Sequence, residues 1–234
     1  MDKKKVKVCA VFVTFYPDRE MFKRAIEAIY PQVEKILVID NSEHYENGVV
    51  KTFVSRSVKK IFFKKNMGVA AGHNLGVDWA KSHYFSHVLL MDQDSLASDD
   101  MVERLLAAEK KLLENGAQVA AVGPGVVDLN SLTPMPFVRR YRGRIRRICC
   151  DGEHDLKVLH LISSGSLLRI STLESIGKME EDLFIDSVDI EWGMRAIHKG
   201  FNPYGVCSAS LYHNLGTSRI QSKLLSSREL VLHE

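Results

Sequence analysis

The chain has 234 residues and a mass of 26.4 kDa. Its 45% hydrophobic and 26% charged residues are typical of an ordinary soluble globular protein, which excludes a disordered, collagen-like or coiled-coil chain. The formal net charge of +3 is too small to indicate nucleic-acid binding. No apolar run approaches the ~20 residues of a membrane span, and the apolar run at residues 6–13 lacks the cleavage site of a signal peptide.

The cysteines bear on the cellular compartment. They are too few and too scattered for a disulfide framework, and they contain no C-x-x-C pair that would indicate zinc. The four are Cys9, Cys149, Cys150 and Cys207. We therefore expect a protein of the reducing cytoplasm.

Short apolar runs alternate with longer amphipathic runs along the first half of the chain. The patterns predict strands at 6–13, 35–39, 60–63, 87–91 and 119–122, and helices at 18–29, at 69–82 and from Asp100 onward. Glu103 is the predicted capping-box partner at the start of the third helix. This alternation predicts a single α/β domain over residues 1–234, with a mostly parallel sheet covered by helices on both faces. Ligands bind such sheets beyond the carboxyl ends of the strands.

The second half of the chain is less regular. Residues 124–158 hold three of the six prolines and an arginine cluster, which predicts loops and an irregular hairpin. Order returns at 159–169, followed by a helix at 188–199 and a strand at 204–207. Helical spacing of the apolar residues Ile190, Met194, Ile197 and Phe201 predicts that they dock this helix on the core.

The first two strand ends carry polar residues and no glycine. Thr14 and Phe15 follow the first strand, where a dinucleotide fold needs G-x-G-x-x-G and a phosphate-binding loop needs G-x-x-x-x-G-K-[ST]; both classes are therefore excluded. Asp40 ends the second strand, where it is placed to hydrogen-bond a base or a ribose. A turn that stops the strand is an equally good interpretation of Asp40.

A glycine-rich segment follows the third strand. Gly68, Gly72 and Gly76 recur at every fourth residue, and Asn66 and Asn74 offer amide donors beside them. The pattern is compatible with a helix N-terminus that binds phosphate. Tight packing of the helix on the sheet is the stronger alternative on spacing alone.

Two aspartates follow the fourth strand. Asp92 and Asp94 are two residues apart at a strand end, so their carboxylates point the same way. Such a pair suits Mg²⁺ or Mn²⁺ bridging a diphosphate, although a capped turn is also possible. His213 follows the last strand on the same predicted face and is a plausible third ligand, while the other histidines show no such arrangement.

Acidic residues also open the last predicted helix. Asp186, Asp189 and Glu191 lie within six residues, where the helix dipole favours an ionised carboxylate. An ionised, oriented carboxylate is what a general base requires, with plain capping as the alternative. No Ser-His-Asp order or G-x-S-x-G elbow is present, which argues against the common hydrolases.

Six arginines occur within nine residues, at 139, 140, 142, 144, 146 and 147. A solvated basic loop is one interpretation; contact with an anionic lipid surface or with a diphosphate-linked acceptor is another. Nucleic acid is the weakest alternative, because only Tyr141 offers stacking.

Together these motifs resemble a GT-A-fold family 2 glycosyltransferase, and most of all its bacterial rhamnosyltransferase branch. The resemblance implies that Thr14, Phe15, Asp40, Asn66, Gly68, Gly72, Asn74 and Asp92 lie along the nucleotide. It further implies that Asp92, Asp94 and His213 hold a divalent metal, and that Asp189 is the catalytic base. The nucleotide-binding half would be about 1–124, and the acceptor and catalytic half about 125–234.

The resulting hypothesis is an inverting, metal-dependent transferase that uses a nucleoside-diphosphate sugar, with dTDP-rhamnose as one candidate. Its acceptor would be a cell-surface polysaccharide or a lipid-linked saccharide, and the enzyme would be cytoplasmic with peripheral contact to an anionic membrane and no nucleic-acid partner. A non-catalytic relative that binds nucleotide or a partner is the alternative. A nucleotidyltransferase is a third and weaker one.

Overall fold

The structure is a computed structural model that describes residues 6–43, 50, 57–152, 154–213, 219–220 and 230–231. Its strands are β1 Val8–Thr14, β2 Lys35–Asp40, β3 Val58–Phe62, β4 His87–Asp92, β5 Ser95–Ala97, β6 Val119–Asp128, β7 Phe137–Tyr141, β8 Arg144–Ile148, β9 Leu156–Lys157, β10 Leu167–Arg169, β11 Asn202–His213, β12 Arg219–Ile220 and β13 Leu230–Val231.

A nine-stranded mixed sheet forms the centre of the molecule. Its order is β3-β2-β1-β4-β10-β6-β11-β5, with β9 paired to β11 outside this path. β3, β2, β1 and β4 run parallel, as do β6 and β11. β10 is antiparallel to both β4 and β6 and joins the two parallel groups. The predicted α/β sheet is therefore confirmed, with antiparallel strands that the sequence patterns did not reveal.

Helices cover both faces of this sheet. They are α1 Arg19–Ile29, α2 Gly68–Ser82, α3 Met101–Glu114, α4 Ile170–Ile176 and α5 Val188–His198. One core lies between the sheet and α1 and α3; the other lies between the sheet and α2, α4 and α5. No helix in the described part of the chain is both long and apolar enough to cross a membrane.

β1 is a continuous apolar run because both of its faces are buried. All seven of its residues are buried, because the side chains alternate between the two faces. Ala10 and Phe12 enter the core beneath α1, where Phe12 meets Phe22 edge to face at 5.8 Å between ring centroids. Cys9 and Val11 enter the opposite core.

The glycines of α2 allow that helix to pack closely on β1. A Cβ atom at Gly72 would lie 2.7 Å from a methyl carbon of Val13, and one at Gly76 would overlap Val11. Such contacts would force the helix away from the sheet. Tight helix–sheet packing therefore accounts for the spacing of these two glycines.

Two local predictions about helices were wrong. Asp100 precedes α3 but makes no side-chain capping bond; its carboxylate instead accepts a hydrogen bond of 2.6 Å from Arg104 Nε. In α5, Ile190 and Met194 are 44% and 49% exposed rather than docked on the core. The helix buries Val188, Trp192 and Ala196 instead, a second set at the same spacing of four. Periodicity alone cannot choose between two such sets.

The prediction about cysteines also needs correction. Cys150 and Cys207 form a disulfide with their Cα atoms 5.5 Å apart, so the chain contains one disulfide where none was expected. The two residues are 57 positions apart, and only the return of β11 beside the end of the β7–β8 hairpin brings them together. Cys9 and Cys149 are free.

Candidate active site

Three predicted metal ligands meet at one edge of the sheet. Asp92 ends β4, and Asp94 lies in the turn that leads into β5. β5 then pairs antiparallel with β11 so that Ser95 lies opposite His213. The potential ligand atoms of Asp92, Asp94 and His213 all lie within 4.8 Å of one another. Two carboxylates and one imidazole form a donor set that suits Mn²⁺ or Mg²⁺.

A chain of hydrogen bonds fixes this cluster from behind. The Asp92 N–H donates to Ser164 Oγ at 3.0 Å, and the Ser164 hydroxyl donates to Ser95 Oγ at 2.8 Å. Ser95 Oγ in turn lies 2.7 Å from His213 Nδ1. The same Nδ1 atom lies 3.7 Å from Asp94 Oδ1, so Ser95 orients the imidazole ring beside the carboxylates.

The electrostatics of the cluster favour a cation. Burial is the largest cause that raises the pKa of Asp92, to about 6, and the charges of Asp94 and Asp189 add to the rise. The neighbouring His213 opposes it. A bound divalent cation would relieve the repulsion among these carboxylates.

Asp189 lies in the first turn of α5, near enough to Asp92 for its charge to raise the pKa of Asp92. It lines a pocket together with Ser163, Val188 and Trp192. Burial raises the pKa of its carboxyl group, and His160 acts in the opposite direction. His160 had no recognisable motif in the sequence; it comes near Asp189 because Gly193, one turn along α5, packs directly on residue 160.

The neighbouring acids are in different environments. Glu191 forms a two-pronged ion pair with Arg195, at 2.7 and 2.8 Å, and this pairing lowers the pKa of Glu191. Asp186 is exposed. Among these three carboxylates, Asp189 alone combines partial burial with proximity to the metal cluster.

Asp40 is the buried acidic residue of a second polar region, at the ends of β1 and β2. Its Oδ1 atom accepts hydrogen bonds from Thr14 Oγ1 at 3.1 Å and from Ser42 Oγ at 2.7 Å. The residue is 1% exposed, and its Oδ2 atom has no hydrogen-bond partner among the described residues. A buried carboxylate oxygen without a partner is costly unless a ligand donates to it.

Residues around this region are held by a local network. Phe15 is 46% exposed and exchanges backbone hydrogen bonds with the Gln93 amide, at 2.8 and 3.2 Å. Asn66 Oδ1 accepts from the N–H of Gly68 at 3.0 Å. Asn41, which the sequence did not single out, binds both Met67 and Gly68 and so fixes the turn before α2 to the end of β2.

Two residues predicted to contact the nucleotide have other surroundings. Gly72 packs on Val13, as described above. Asn74 is buried, and its amide binds the N–H and the carbonyl of Met179, at 2.9 Å each, and Glu181 Oε1 at 2.8 Å. The structure therefore does not bring these two residues into the cluster at the strand ends.

The N-terminus of α2 is also occupied. The N–H groups of Val69 and Ala70 donate to the carbonyl oxygen of Phe184, at 2.8 and 3.2 Å. Because these donors are already used, they are not free to hold a phosphate, contrary to the expectation from the glycine-rich segment.

Comparison with known proteins identifies the family. Residues 10–177 match the family model for glycosyl transferase family 2, which covers more than half of the chain. The chain belongs to this family, and it is a glycosyltransferase with a D-x-D-like cluster at Asp92 and Asp94.

Two characterised relatives each share about a quarter of their aligned residues with this chain. The chain is 24% identical over 217 residues to the dTDP-rhamnosyl transferase RfbF of Shigella flexneri, covering 92% of this chain and 71% of the relative. It is 27% identical over 226 residues to the galactofuranosyltransferase GlfT1 of Mycobacterium tuberculosis, covering 92% of this chain and 72% of that relative. Sugar transfer is common to the names of both relatives.

Solved structures share the fold. GalNAc-T7, crystallised with UDP, GalNAc and Mn²⁺, superimposes with a TM-score of 0.73 at 13% identity, covering 91% of this chain and 44% of that one. S. aureus TarS gives a TM-score of 0.63 at 14% identity, covering 89% of this chain and 37% of that one. The chain thus has the GT-A fold and spans less than half of either solved chain.

Proposed function

We propose that this protein is an inverting, metal-dependent glycosyltransferase that moves a sugar from a nucleoside-diphosphate sugar to a saccharide or lipid-linked acceptor used in cell-surface polysaccharide synthesis. One observation carries the proposal: the Asp92, Asp94 and His213 ligand set lies beside a partly buried Asp189 at the strand ends. The site then contains both a position for the diphosphate and a base for the acceptor.

The donor set fits a divalent cation. Asp92 and Asp94 supply hard oxygen ligands, and His213 supplies a nitrogen. The Ser95 hydroxyl, 2.7 Å from Nδ1 of His213, orients the imidazole ring. A divalent cation bound there supplies charge neutralisation for the departing nucleoside diphosphate.

The nucleotide would lie across the ends of β1, β2 and β4. We assign the unpartnered Oδ2 atom of Asp40 to a donor group of the base or ribose, with Thr14 and Ser42 holding the carboxylate in place. Phe15, Asn66, Gly68 and Asp92 line the same region in this proposal, whereas Gly72 and Asn74 are left out of it. The name of the Shigella relative favours dTDP-rhamnose as the donor, and galactofuranose is the alternative from the mycobacterial relatives.

Asp189 would act as the general base. Its carboxylate takes the proton of the acceptor hydroxyl, whose oxygen bonds to the anomeric carbon as the bond to the diphosphate oxygen breaks on the opposite face. This single displacement inverts the anomeric carbon and needs no protein nucleophile. The raised pKa of Asp189 brings its basicity closer to the working pH, which favours proton transfer.

We propose a separate role for each half of the chain. Residues of about 1–124 would bind the nucleotide, and residues of about 125–234 would bind the acceptor and supply the base. We also propose that the enzyme works in the cytoplasm in peripheral contact with an anionic membrane.

Calorimetric titration tests the proposal directly. Nucleoside diphosphates of thymidine, uridine and guanosine would be titrated with and without Mn²⁺, and we expect one of them to bind only with the metal. Asp94→Ala should abolish this metal-dependent binding, whereas Asp99→Ala, a change of an exposed aspartate five residues on, should leave it intact. Undiminished Mn²⁺-dependent binding by Asp94→Ala would contradict the metal site. Donor binding without any sugar release would support the non-catalytic alternative.

A further inference from the structure

The arginine-rich hairpin of β7 and β8 is a concentrated positive surface that the proposed chemistry does not use. Arg142 and Gly143 form its turn, both with positive φ angles, of 48° and 78°. Between Asp128 and Asp151 the sequence contains six arginines and no acidic residue. All six arginines except the half-buried Arg139 are exposed.

The arginines of the hairpin lack carboxylate partners among the residues that the structure describes. No carboxylate in the described part of the chain forms an ion pair with any of the six guanidinium groups. Arg139 instead lies directly opposite Arg146 across the two strands, a destabilising placement of like charges. The guanidinium groups of Arg139 and Arg142 lie 5.2 and 5.4 Å from the centroid of the Tyr141 ring. This concentration of charge favours an external anionic partner.

The far end of the hairpin is also apolar. Ile145 is 71% exposed and Tyr141 is 49% exposed. Exposed aliphatic and aromatic side chains among arginines match the interface of a bilayer, where basic side chains meet headgroups while apolar ones enter the acyl boundary. A soluble polyanion would give no reason for an exposed isoleucine. Nucleic acid is disfavoured because Tyr141, the exposed aromatic residue of the hairpin, is already covered by guanidinium groups.

The base of the hairpin is fixed to the body of the protein. The carbonyl oxygen of Val138 accepts a hydrogen bond of 2.7 Å from the N–H of Leu159. The Phe137 ring packs directly on Gly205 of β11, and a Cβ atom added at Gly205 would lie 2.5 Å from that ring. Cys150, just after β8, has its Cα atom 5.5 Å from that of Cys207 in β11, so this end of the hairpin lies against the central sheet. A hairpin held in this way presents its tip without a large cost of ordering on binding.

The base of this hairpin is connected to the proposed acceptor site. Residues 159 and 160 link the hairpin to α5. The N–H of Leu159 donates to Val138 of β7, while the carbonyl oxygen of Leu159 and the residue His160 pack against Gly193 of α5. α5 carries Asp189 and the exposed apolar residues Ile190 and Met194.

We propose that the β7–β8 hairpin docks the enzyme on an anionic lipid bilayer, with arginines on the headgroups and Ile145 at the acyl boundary. The inference rests on the proposed function in one respect only: docking would bring a membrane-held acceptor to Asp189. Membrane binding itself requires neither donor nor catalysis, so the docking can fail while the proposed transferase activity stands, and the reverse.

Vesicle co-sedimentation tests the docking. We expect the protein to bind vesicles of mixed phosphatidylglycerol and phosphatidylcholine, to bind pure phosphatidylcholine far more weakly, and to be released by salt. The double variant Arg144→Gln with Arg146→Gln should lower partitioning by about 30-fold, since each basic residue near an anionic surface contributes about fivefold. The matched control is Lys23→Gln with Lys110→Gln, which removes the same charge from exposed positions of α1 and α3, on the opposite side of the sheet.

A second variant separates a bilayer from a soluble polyanion. Ile145→Ser should weaken vesicle binding while leaving binding to inorganic polyphosphate unchanged. If Ile145→Ser has no effect on vesicles and the arginine variant loses polyphosphate and vesicle binding equally, the surface binds soluble polyanions and the proposal is overturned. It is equally overturned if the arginine and lysine variants bind vesicles alike. Nucleoside-diphosphate binding, measured in the same preparations without vesicles, reports separately on the proposed function.

Discussion

The carbonyl oxygen of Phe184 closes over Gly68 at the start of α2. It accepts hydrogen bonds from the next two backbone N–H groups, and a Cβ atom at Gly68 would lie only 2.6 Å from it. Gly68 has a φ angle of +81°, and both Phe184 and Ser187 have positive φ angles as well. The glycine-rich turn therefore fixes the unusual backbone of residues 184–187, which leads directly into Asp189.

Substitution of Gly68 should affect both stability and activity. Gly68→Ala combines a strained φ angle with a clash against Phe184, and we expect the free energy of unfolding to fall by about 2–4 kcal/mol. Displacement of the segment before Asp189 should lower the transfer rate by up to about 10²-fold. Gly116→Ala is the control, because Gly116 has nearly the same φ angle, +79°, with open space around it. Denaturant unfolding and initial rates would show whether the two variants differ; equal behaviour would contradict the positioning role.

Asp189→Asn should separate chemistry from binding. Asparagine keeps the size of the side chain but cannot take a proton, so we expect the transfer rate to fall by about 10²–10⁴-fold. Donor affinity should stay near that of the wild type, because the base acts on the acceptor. The rate is followed as nucleoside diphosphate released in the presence of acceptor. Asp186→Asn, at an exposed position, should change the rate by no more than a few-fold. Joint loss of donor binding and thermal stability in Asp189→Asn would indicate a structural role instead.

Asp92→Asn should improve stability while it abolishes function. Burial raises the pKa of Asp92 to about 6 in the folded protein, so the metal-free fold retains a proton that the unfolded chain releases near pH 4. Stability therefore falls as the pH rises from about 4 through 6. At pH 7 without metal, we expect Asp92→Asn to be more stable by about 1–3 kcal/mol, with the gain vanishing below pH ~4. Thermal unfolding against pH measures this. A destabilised variant would show that Asp92 is a structural residue.

His73 should make the fold sensitive to acid. The side chain is fully buried in α2, and neither ring nitrogen has a hydrogen-bond partner in the part of the chain that the structure describes. Burial lowers the pKa of His73 to about 4. The unfolded chain takes up a proton near pH 6.5 that the folded protein cannot hold, so stability is lost as the pH falls from 6.5 to about 4. We expect His73→Leu to remove about 2–3 kcal/mol of this pH dependence. His198→Gln, at an exposed position, should leave it unchanged; parallel stability profiles for the wild type and His73→Leu would refute the assignment.

Local sequence patterns were sufficient for several of the buried elements. The apolar run that became β1 and the fourth-residue glycines of α2 predict their own packing, because alternation and helical spacing state which face of an element is buried. The alternation of strands and helices in the first half of the chain follows from the same periodicities, whereas β5, β10 and α4 were not predicted. Strand ends were then sufficient to single out Asp40, Asp92 and Asp94, since parallel strands present their carboxyl ends at one edge.

Tertiary structure alone decided the remaining features. Ile190 and Val188 both belong to helical stripes, and only the fit of Trp192, whose indole N–H donates to the Gly177 carbonyl at 2.8 Å, selects the buried one. His160 reaches Asp189, and Cys150 reaches Cys207, through segments far apart in the chain. The return of β11 beside β5 likewise places His213 against Ser95. A local pattern records which residues share a face of an element, whereas the face that is buried and the neighbour that covers it depend on how the whole sheet closes.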